Sequence, residues 1–578
     1  MKRLSISIYI LAVLSVIFTL VHVSFRGDIS LAALPLAAAV TALYVWCGIF
    51  QLLKKTDAAR VNLFRKICEY LPFIFLAAFV LRRAGIQGTS HLFDLVSVIL
   101  WVLVAVADRV VLYLTKEKRL YAQVPAFEES RKQQGIVPVK GIRKVLRELF
   151  EWVDAFLQAA FMVSLIQIFI IQLYEIPSES MVPEFLVGDR VIVFKTASGP
   201  RFPLSDVGLP NMRSYGRGDI IVFRNPHYSR DRQSEVRTFV SQLVYMLSFT
   251  LVNLNVDENG QPKADPLVKR VTGVAGEQLV MVDGILYKRT EAQPEFTPVD
   301  EAGWAAWNLN EVPPAIKTGI QDIPLTQNDY DIMTAVELER SALNLAEAAR
   351  EAQALSAEFA AVSASLRRNL GLSAGSTGLP SSGLFTASEQ SVRTLFMAND
   401  EVTRRLLTAD GGAEWFERFM TGWIGEMENY SADLYADSMF RLNILIKLTM
   451  GHLVVRNTQL MAEGISASRQ SQDITKMHYL SKAQDLDFYL YLNDRRNMPV
   501  FPAEGFIPEN NFFMMGDNRF NSLDMRHSYE YKQAPVSRLD PSPVYYMTNM
   551  EPQYVPSSDI LGTTVLRFWP VNRMGIPR

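Results

Sequence analysis

Cysteine and histidine, which build many metal and redox sites, are scarce in this chain. The 578 residues include two cysteines and six histidines. Cys47 and Cys68 lie in or beside apolar runs, so no disulfide framework or thiolate metal site is available to a soluble part. The histidines are scattered and form no His-Glu-x-x-His pair, so we expect no zinc site. No motif suggests another metal, a nucleotide or any other cofactor.

An excess of charge of one sign is also absent. Lysine and arginine number 58 against 60 aspartates and glutamates, a net charge of −2 at pH 7. Nothing in this balance favours nucleic acid as a partner. The chain is instead 49% hydrophobic and 20% charged, too apolar for an ordinary soluble protein and too charged for a pure transporter. We therefore predict a membrane part joined to a soluble part, with room for two or more domains.

Long apolar runs fill the first 175 residues. There are five of them, at 5–23, 31–53, 70–81, 92–114 and 152–174. Four are near the roughly 20 residues that a helix needs to cross a bilayer. The third run is short, so it is either completed by its flanks or only partly inserted. The sequence thus predicts a multi-span α-helical membrane region of about five spans at 1–175.

Basic residues give this region an orientation. They gather before the first run, after the second and before the fifth, the last group being Lys116, Lys118, Arg119, Arg131, Lys132, Lys140, Arg143, Lys144 and Arg147. By the positive-inside rule this side is cytoplasmic, which puts the chain after residue 175 outside. Arg82 and Arg83 fall on the opposite side and conflict with the rule. We predict a multi-pass protein of the cytoplasmic (inner) membrane with its soluble part on the extracytoplasmic side.

Short β-branched runs follow the last span. They lie at 188–194, 217–223 and 268–272, and a hairpin is predicted around the Asp283-Gly284 turn. The stretch 239–254 has helical spacing and little charge, so it is either a packed helix or one in the membrane interface. Later strands are predicted at 486–492 and 560–570.

Helical patterns dominate between these strand regions, from about 329 to 465. A Gly-Ser-rich stretch at 371–383 predicts a flexible linker, and Thr386 with Glu389 predicts a capping box for the next helix. Aromatic and Met residues at Trp415–Trp423 are interpreted as core. The predicted domains are the membrane region 1–175, a β domain in two parts (176–300 and 481–578) and a mainly helical insertion, 301–480.

Two serines stand where the last span gives way to the first strand, in Pro177-Ser178-Glu179-Ser180-Met181. Taken alone, Ser and Pro after a helix usually mark a turn. Ser180 is also placed as a nucleophile held at the membrane surface. A serine hydroxyl needs a base to activate it and donors for the developing oxyanion, so the motif is informative only if the rest of the chain supplies both.

Four blocks occur in the order Pro-Ser-x-Ser-Met, Arg-Gly-Asp-Ile-Ile-Val-Phe, Val-Lys-Arg-Val-x-Gly-x-x-Gly-Glu and Met-Gly-Asp-Asn-Arg-x-Asn-Ser-x-Asp-x-Arg. Together they resemble type I signal peptidase (leader peptidase), a bacterial membrane serine protease with a Ser/Lys dyad. The resemblance covers about 176–290 and 500–570. It implies a mostly β, signal-peptidase-like catalytic domain, here carrying a large α-helical insertion. Where the family commonly has Asp, this chain has Phe520.

The resemblance assigns roles to particular residues. It implies that Ser180 is the nucleophile, Lys269 the general base, Ser178 an oxyanion donor and Ser522 the residue that orients the lysine amine. Asp524 and Arg526, two apart, are implied to support the site, the alternative being a surface ion pair of little value. The resemblance implies no metal.

A lysine is a base only when neutral, so burial must lower the pKa of Lys269. Its apolar neighbours on the strand favour this. Histidine is the commoner base for serine, and His527 lies close to the last block. It follows Arg526 in a motif where the family uses no histidine, so Lys269 is preferred.

The implied function is cleavage of signal peptides from exported preproteins. The implied partners are these signal peptides, the lipid bilayer and the secretion machinery. A related membrane protease with a narrower substrate set stays open, because the extra spans and the helical insertion lie outside the resemblance. So does an inactive scaffold of the same fold, although all the implied catalytic residues are present.

Overall fold

The computed structural model of the protein describes residues 2–22, 32–85, 90–121, 127, 141–228, 231–248, 252, 254, 256, 263–369, 384–429 and 433–578. The predicted linker at 371–383 lies outside these ranges. So do three of the basic residues before the fifth run, Arg131, Lys132 and Lys140.

Helices form most of the described residues up to 169. They are α1 (Lys2–Val21), α2 (Ala33–Val45, continued by a π-helical turn Trp46–Leu52), α3 (Ala58–Gly85), α4 (His91–Leu114), α5 (Glu117–Tyr121) and α6 (Ile142–Phe169). α1 to α4 share one apolar core. By length and composition alone, the described helices that could cross a membrane are α1, α2 with its π turn, α4, Lys144–Phe169 of α6 and Leu434–Ala462. The number of spans stays a prediction.

The third apolar run is part of a much longer helix than its twelve residues indicate. α3 has 28 residues and ends in Arg82 and Arg83. Arg82 stacks its guanidinium 3.8 Å from the ring centre of Phe93, and Arg83 Nε lies 3.2 Å from an Asp94 carboxylate oxygen. Both arginines are buried. Their contacts with α4 give them a structural role at the end of the bundle where the charge rule predicts no cations.

The fifth run was predicted to stay helical to residue 174, and this is wrong at its end. α6 ends at Phe169, and Ile171–Glu175 forms strand β1. β1 pairs antiparallel with β2 (Arg190–Phe194), Tyr174 opposite Val191. Apolar composition does not distinguish a spanning helix from a buried strand. Here the backbone partners offered by β2 decide the conformation.

A seven-stranded antiparallel sheet forms the centre of the β region. Its other strands are β3 (Ile220–Phe223), β4 (Leu267–Gly273), β9 (Asn511–Met515), β12 (Val555–Pro556) and β13 (Ile560–Trp569). The strand order is β1-β2-β13-β3-β4-β9-β12. Strands from both ends of the β region therefore alternate in one sheet, which brings the serine, lysine and Gly-Asp-Asn-Arg blocks together.

A four-stranded sheet and a two-stranded ribbon complete the β structure. The sheet has the order β7-β6-β5-β8 and consists of β5 (Glu277–Val282), β6 (Ile285–Thr290), β7 (Gln293–Pro298) and β8 (Met498–Phe501). The ribbon pairs β10 (His527–Pro535) with β11 (Tyr545–Met550). Asp283 and Gly284 have φ values of 53° and 78°, as a two-residue type I′ turn requires. The predicted hairpin is confirmed.

The remaining helices are α7 (Arg232–Leu247), α8 (Pro314–Lys317), α9 (Gln327–Ala342), α10 (Leu345–Asn369), α11 (Val392–Met397), α12 (Asn399–Thr408), α13 (Gly412–Thr421), α14 (Leu434–Ala462), α15 (Ala467–Gln470) and α16 (Ile474–Arg496). α8 to α16 follow β7 and precede β8. They pack around α14, and 89% of the residues in its most apolar 18-residue stretch are buried. Phe416, Phe419, Met420 and Trp423 belong to this core, as predicted.

Three sequence predictions of secondary structure are corrected. The strand expected at 486–492 is part of α16, because Leu486, Tyr489 and Leu490 are spaced as one buried helix face. The same helix spans residue 480, where the sequence predicts a domain boundary, and the division into domains stays a prediction. Thr386 and Glu389 form the two hydrogen bonds of a capping box. The residues that follow Thr386 form a turn and not the first turn of a helix. The helix begins later, after Ser391. The helix expected at 239–254 begins earlier, as α7, and residues 249–251 and 253 lie outside the described part of the chain.

Candidate active site

The two serines follow β1 in a short irregular segment. Ser178 is extended (φ −142°, ψ 164°), and Glu179–Met181 forms a single 3₁₀ turn. The backbone N–H of Asn518 donates to the carbonyl of Ser180 (3.1 Å), and its side-chain amide donates to the carbonyl of Glu179 (3.1 Å). The loop after β9 thus holds the nucleophile candidate by its main chain.

The serines were expected to face one site because both would lie in an extended segment. Their hydroxyls do converge, since Ser178 Oγ donates to Ser180 Oγ at 3.3 Å. The cause differs, because Ser180 lies in the 3₁₀ turn. The turn, rather than strand alternation, brings the two side chains together.

Lys269 reaches Ser180 from β4. Its Nζ lies 2.6 Å from Ser180 Oγ and is hydrogen bonded to it. The lysine is only 3% exposed. Burial lowers its pKa to about 8, although the carboxylates of Asp524 and Asp517 oppose the shift. A substantial neutral fraction at mildly alkaline pH is what a lysine base requires.

Ser522 does not make the predicted hydrogen bond to the lysine amine. Its buried hydroxyl has no hydrogen-bond partner among the described residues. It lies instead against Gly516, where an added Cβ would come within 2.2 Å of Ser522 Oγ and 2.4 Å of the Ser180 carbonyl oxygen. The amine of Lys269 is directed at Ser180. The role of Ser522 therefore stays a prediction, while Gly516 is needed for the loop to approach Ser180.

Asp524 and Arg526 form a buried pair, so the surface alternative is wrong. Neither side chain is exposed, and the guanidinium donates to both carboxylate oxygens at 2.8 and 2.9 Å. Asp524 also accepts from the backbone N–H of Gly516 (2.9 Å). Burial alone would raise the pKa of Asp524, but the charge and hydrogen bonds of Arg526 hold it far below its ordinary value. The pair fixes the loop that contacts Ser180.

A second buried ion pair beside the site was not foreseen. Arg270 donates to both oxygens of Asp517 at 2.8 and 2.6 Å, and each side chain is 1% exposed. Neighbouring residues on a strand face opposite sides, so Arg270 points away from Lys269 and ties β4 to the loop. The only sequence signal was the Lys-Arg pair within an apolar strand, and nothing in the pattern linked it to an aspartate 247 residues away.

Phe520, which departs from the family pattern, joins the loop to the helical half, which is formed by α8 to α16 between β7 and β8. Its ring packs edge-on against Trp307 (5.3 Å) and Tyr330 (5.6 Å). Nearby, Arg495 at the end of α16 donates to the carbonyl of Ser522 (2.6 Å). The helices between β7 and β8 thus contact the loop that holds the serine, a link that the motifs did not predict.

His527 is buried without a role in this arrangement. Neither ring nitrogen has a hydrogen-bond partner among the described residues, and burial lowers its pKa well below the ordinary value. It is not hydrogen bonded to Ser180 or Lys269. In the part of the chain that the structure describes, no group of three or more His, Cys, Asp or Glu residues could hold a metal ion.

A buried serine hydroxyl in contact with a buried lysine amine is the arrangement of a serine hydrolase that uses lysine as its base. The sequence model of the signal peptidase family, peptidase S26, matches residues 149–317 and 446–569. These ranges cover about half of the chain and contain Ser178, Ser180, Lys269, Ser522, Asp524 and Arg526. The chain belongs to this family.

Curated relatives are similar over a smaller part. Signal peptidase I of Buchnera aphidicola (strain Sg) is 34% identical over 94 residues, which are 16% of this chain and 30% of that protein. The Pseudomonas aeruginosa enzyme is 37% identical over 78 residues (14% and 28%). The Pseudomonas fluorescens enzyme is 31% identical over 108 residues (19% and 38%). The chain thus spans less than two fifths of the length of these relatives. No solved structure matches it.

Proposed function

We propose that this protein is a membrane-bound endopeptidase that cleaves signal peptides from exported preproteins with a Ser180/Lys269 dyad. The observation that supports this most directly is the 2.6 Å contact between Lys269 Nζ and Ser180 Oγ, with both residues buried. Membership of the signal peptidase family supports the substrate class.

The reaction begins with neutral Lys269 accepting the proton of Ser180 while Oγ attacks the scissile carbonyl. The oxyanion is held by the backbone N–H of Ser180 and by the hydroxyl of Ser178, which lies 3.3 Å from Ser180 Oγ. The resulting ammonium then gives its proton to the leaving amine. The C–N bond breaks, and the acyl group stays on Ser180 as the acyl-enzyme. In deacylation, the neutral lysine accepts a proton from a water molecule, whose oxygen attacks the acyl carbonyl. The lysine then returns the proton to Ser180 Oγ as the carboxylic acid leaves.

Substrate and membrane placement complete the proposal. An extended peptide can add to a sheet edge beside the serine segment, the common way in which sheets bind strands. The apolar helices near the N-terminus anchor the protein in the cytoplasmic membrane, with the site on the extracytoplasmic side. Signal peptides, lipid and the secretion machinery are the proposed partners. The membrane, β and helical regions are proposed as separate domains.

Cleavage of a model preprotein by the purified full-length protein in detergent tests the proposal. The wild type should release the mature protein, and Ser180→Ala should not. Ser471→Ala, at an exposed serine of the helical half, is the matched control and should cut normally. Thermal unfolding of each variant verifies folding. Equal cleavage by Ser180→Ala would overturn the dyad, and a wild type that cuts no preprotein would indicate an inactive scaffold.

A narrower substrate set is the second candidate, and the contacts of the helical half favour it. The carboxylate of Glu179, between the two serines, accepts hydrogen bonds from the backbone N–H groups of Gln321 and Asp322. A segment beyond the β region thus borders the serine. A panel of preproteins with different residues before the cut distinguishes the two. Cleavage of most of the panel supports the general enzyme, and cleavage of a small related subset supports the specialised one.

A further inference from the structure

A cavity of about 650 Å³ lies where the last N-terminal helix passes into the sheet. Its wall includes Ile168 and Gln172 at the α6–β1 junction, and Arg83 at the end of α3. Lys195 and Arg224, which directly follow β2 and β3, also line it. The volume is within the range of small-molecule sites. The cavity therefore lies between the apolar helices and the β region, at the C-terminal end of α6, whose basic residues Lys144 and Arg147 are at the other end.

Two cations in this cavity have no anionic partner among the described residues. Lys195 Nζ donates to the neutral side-chain oxygen of Gln172 (3.0 Å). The guanidinium of Arg224 makes no hydrogen bond or ion pair within the described residues. Burial, together with the charge of Arg224, lowers the pKa of Lys195 to about 8. An anion between the two groups would remove this repulsion.

The acidic groups of the cavity do not supply that anion. Each is engaged elsewhere: Asp206 with Arg201 (2.8 Å), Glu235 with Arg232 (3.0 Å), Asp231 with the backbone of Ser234 (2.7 Å) and Asp265 with the backbone of Asn225 (3.0 Å). None forms an ion pair with Lys195 or Arg224. An anion that contacts Lys195 and Arg224 would therefore displace no ion pair among the described residues.

A third donor faces the same space. The hydroxyl of Tyr174 is buried and has no hydrogen-bond partner among the described residues, and Tyr174 lines the cavity. A buried hydroxyl without a partner is costly, so a ligand that accepts its hydrogen bond is favoured. One ammonium, one guanidinium and one hydroxyl match the several acceptor oxygens of a phosphate group.

We propose that this cavity binds a phosphate group, and that its source is the headgroup of an anionic phospholipid. The lipid source follows from the position at the end of α6, which exposes the apolar side chains of Met162 and Val163 within two turns of Ile168. This part rests on the proposed membrane placement of α6, whereas the phosphate chemistry rests on Lys195, Arg224 and Tyr174. Acyl chains would follow the apolar helix surface while the headgroup enters the cavity.

Native mass spectrometry of the full-length protein in detergent tests this, with phosphatidylglycerol, phosphatidylcholine and inorganic phosphate added separately. The wild type should retain phosphatidylglycerol in preference to phosphatidylcholine. Lys195→Met and Arg224→Gln should each weaken retention about tenfold or more, because a hydrogen bond to a charged group is lost. Arg201→Gln is the matched control, since Arg201 lines the cavity but is already paired, and it should retain the lipid.

Three results would decide against all or part of the proposal. Equal retention of phosphatidylglycerol by the wild type and both variants would overturn the site. Binding of inorganic phosphate without the lipid, lost in both variants, would support the phosphate site and overturn the lipid source. Equal retention of both lipids would overturn the preference for anionic headgroups. Retention does not depend on cleavage, so failure of the proposed peptidase activity would be seen separately in the preprotein assay.

Discussion

Two regions of the protein each bury a lysine, and they use it differently. Lys269 lies on β4 and Lys447 lies in the middle of α14, and they are 3% and 0% exposed. Burial lowers the pKa of each to about 8. Lys269 is hydrogen bonded to the hydroxyl of Ser180 (2.6 Å), whereas Lys447 forms an ion pair with the carboxylate of Asp540.

Burial and a lowered pKa are therefore not sufficient to identify a base. The Asp540 carboxylate contacts Lys447 and favours its protonated form. Lys269 has no ion pair within the described residues, because nearby Asp517 and Asp524 are each bound by an arginine. Those arginines thus keep the carboxylates from holding the lysine as an ammonium. The neighbour in contact, rather than the depth of burial, makes Lys269 suitable for catalysis.

The largest effect should come from Lys269→Met. Loss of the base should reduce preprotein cleavage to background, on the order of 10⁶-fold in enzymes whose catalytic residues act as a unit. Stability should be kept, because methionine fills the space and no buried partner is left charged. Cleavage rates and thermal unfolding measure the two effects. If activity persists in Lys269→Met and is lost in His527→Ala, the histidine is the base.

Lys447→Met should have the reverse effect of Lys269→Met, with activity kept and stability lowered. Cleavage by the folded fraction should be unchanged, while the free energy of unfolding falls by about 3–5 kcal/mol, because Asp540 is left charged and buried. The double variant Lys447→Met/Asp540→Asn is the control and should recover most of the loss, because asparagine removes the charge and keeps an oxygen that accepts from Asn443. Denaturant titrations followed by tryptophan fluorescence measure this. A stable Lys447→Met protein would show that the pair contributes little, and a stable but inactive one would remove the contrast with Lys269.

Ser178→Ala tests whether the site extends beyond the dyad. Removal of one oxyanion donor should lower kcat about 10²–10³-fold, with a much smaller change in KM, because the hydrogen bond strengthens as the oxyanion forms. Ser178→Thr keeps a hydroxyl and should recover part of the rate. Steady-state cleavage of a peptide substrate separates kcat from KM. An unchanged kcat in Ser178→Ala would show that the Ser178 hydroxyl does not help the backbone N–H of Ser180 to hold the oxyanion.

The sequence predicted the parts of the fold that depend on local pattern. The strands at 190–194, 220–223 and 560–569 were visible as short apolar runs bounded by turn residues, and Asp283-Gly284 identified its hairpin. The order of the four motifs linked Ser180 to Lys269, 89 residues later. Local periodicity and a family pattern are sufficient here, because neither requires knowledge of which distant segments meet.

The remaining features depend on contacts between distant segments. Tyr174 is in a strand because β2 lies beside it, and the residues of α16 are helical where they cover the core of the helical half. Arg270 and Asp517 pair across 247 residues. Phe520 looked like a departure from the family loop, but it is the residue that packs the loop against Trp307. Patterns of single residues carry no information about such partners.

The pH dependence of cleavage gives a smaller, graded test of the same contrast. Lys269 is active when neutral, so kcat/KM should rise about tenfold for each pH unit below about 8, and level off above that value, where the lysine is already deprotonated. Lys447→Met, measured in the pH range where it is folded, should leave this profile in place, because Lys447 does not touch the reacting groups. A limb well below 6.5 would indicate His527, whose pKa burial lowers, and one near 10.5 would indicate a solvated lysine. A limb that moved in Lys447→Met would show that the two buried lysines are coupled, and the separation between a catalytic and a structural lysine would then fail.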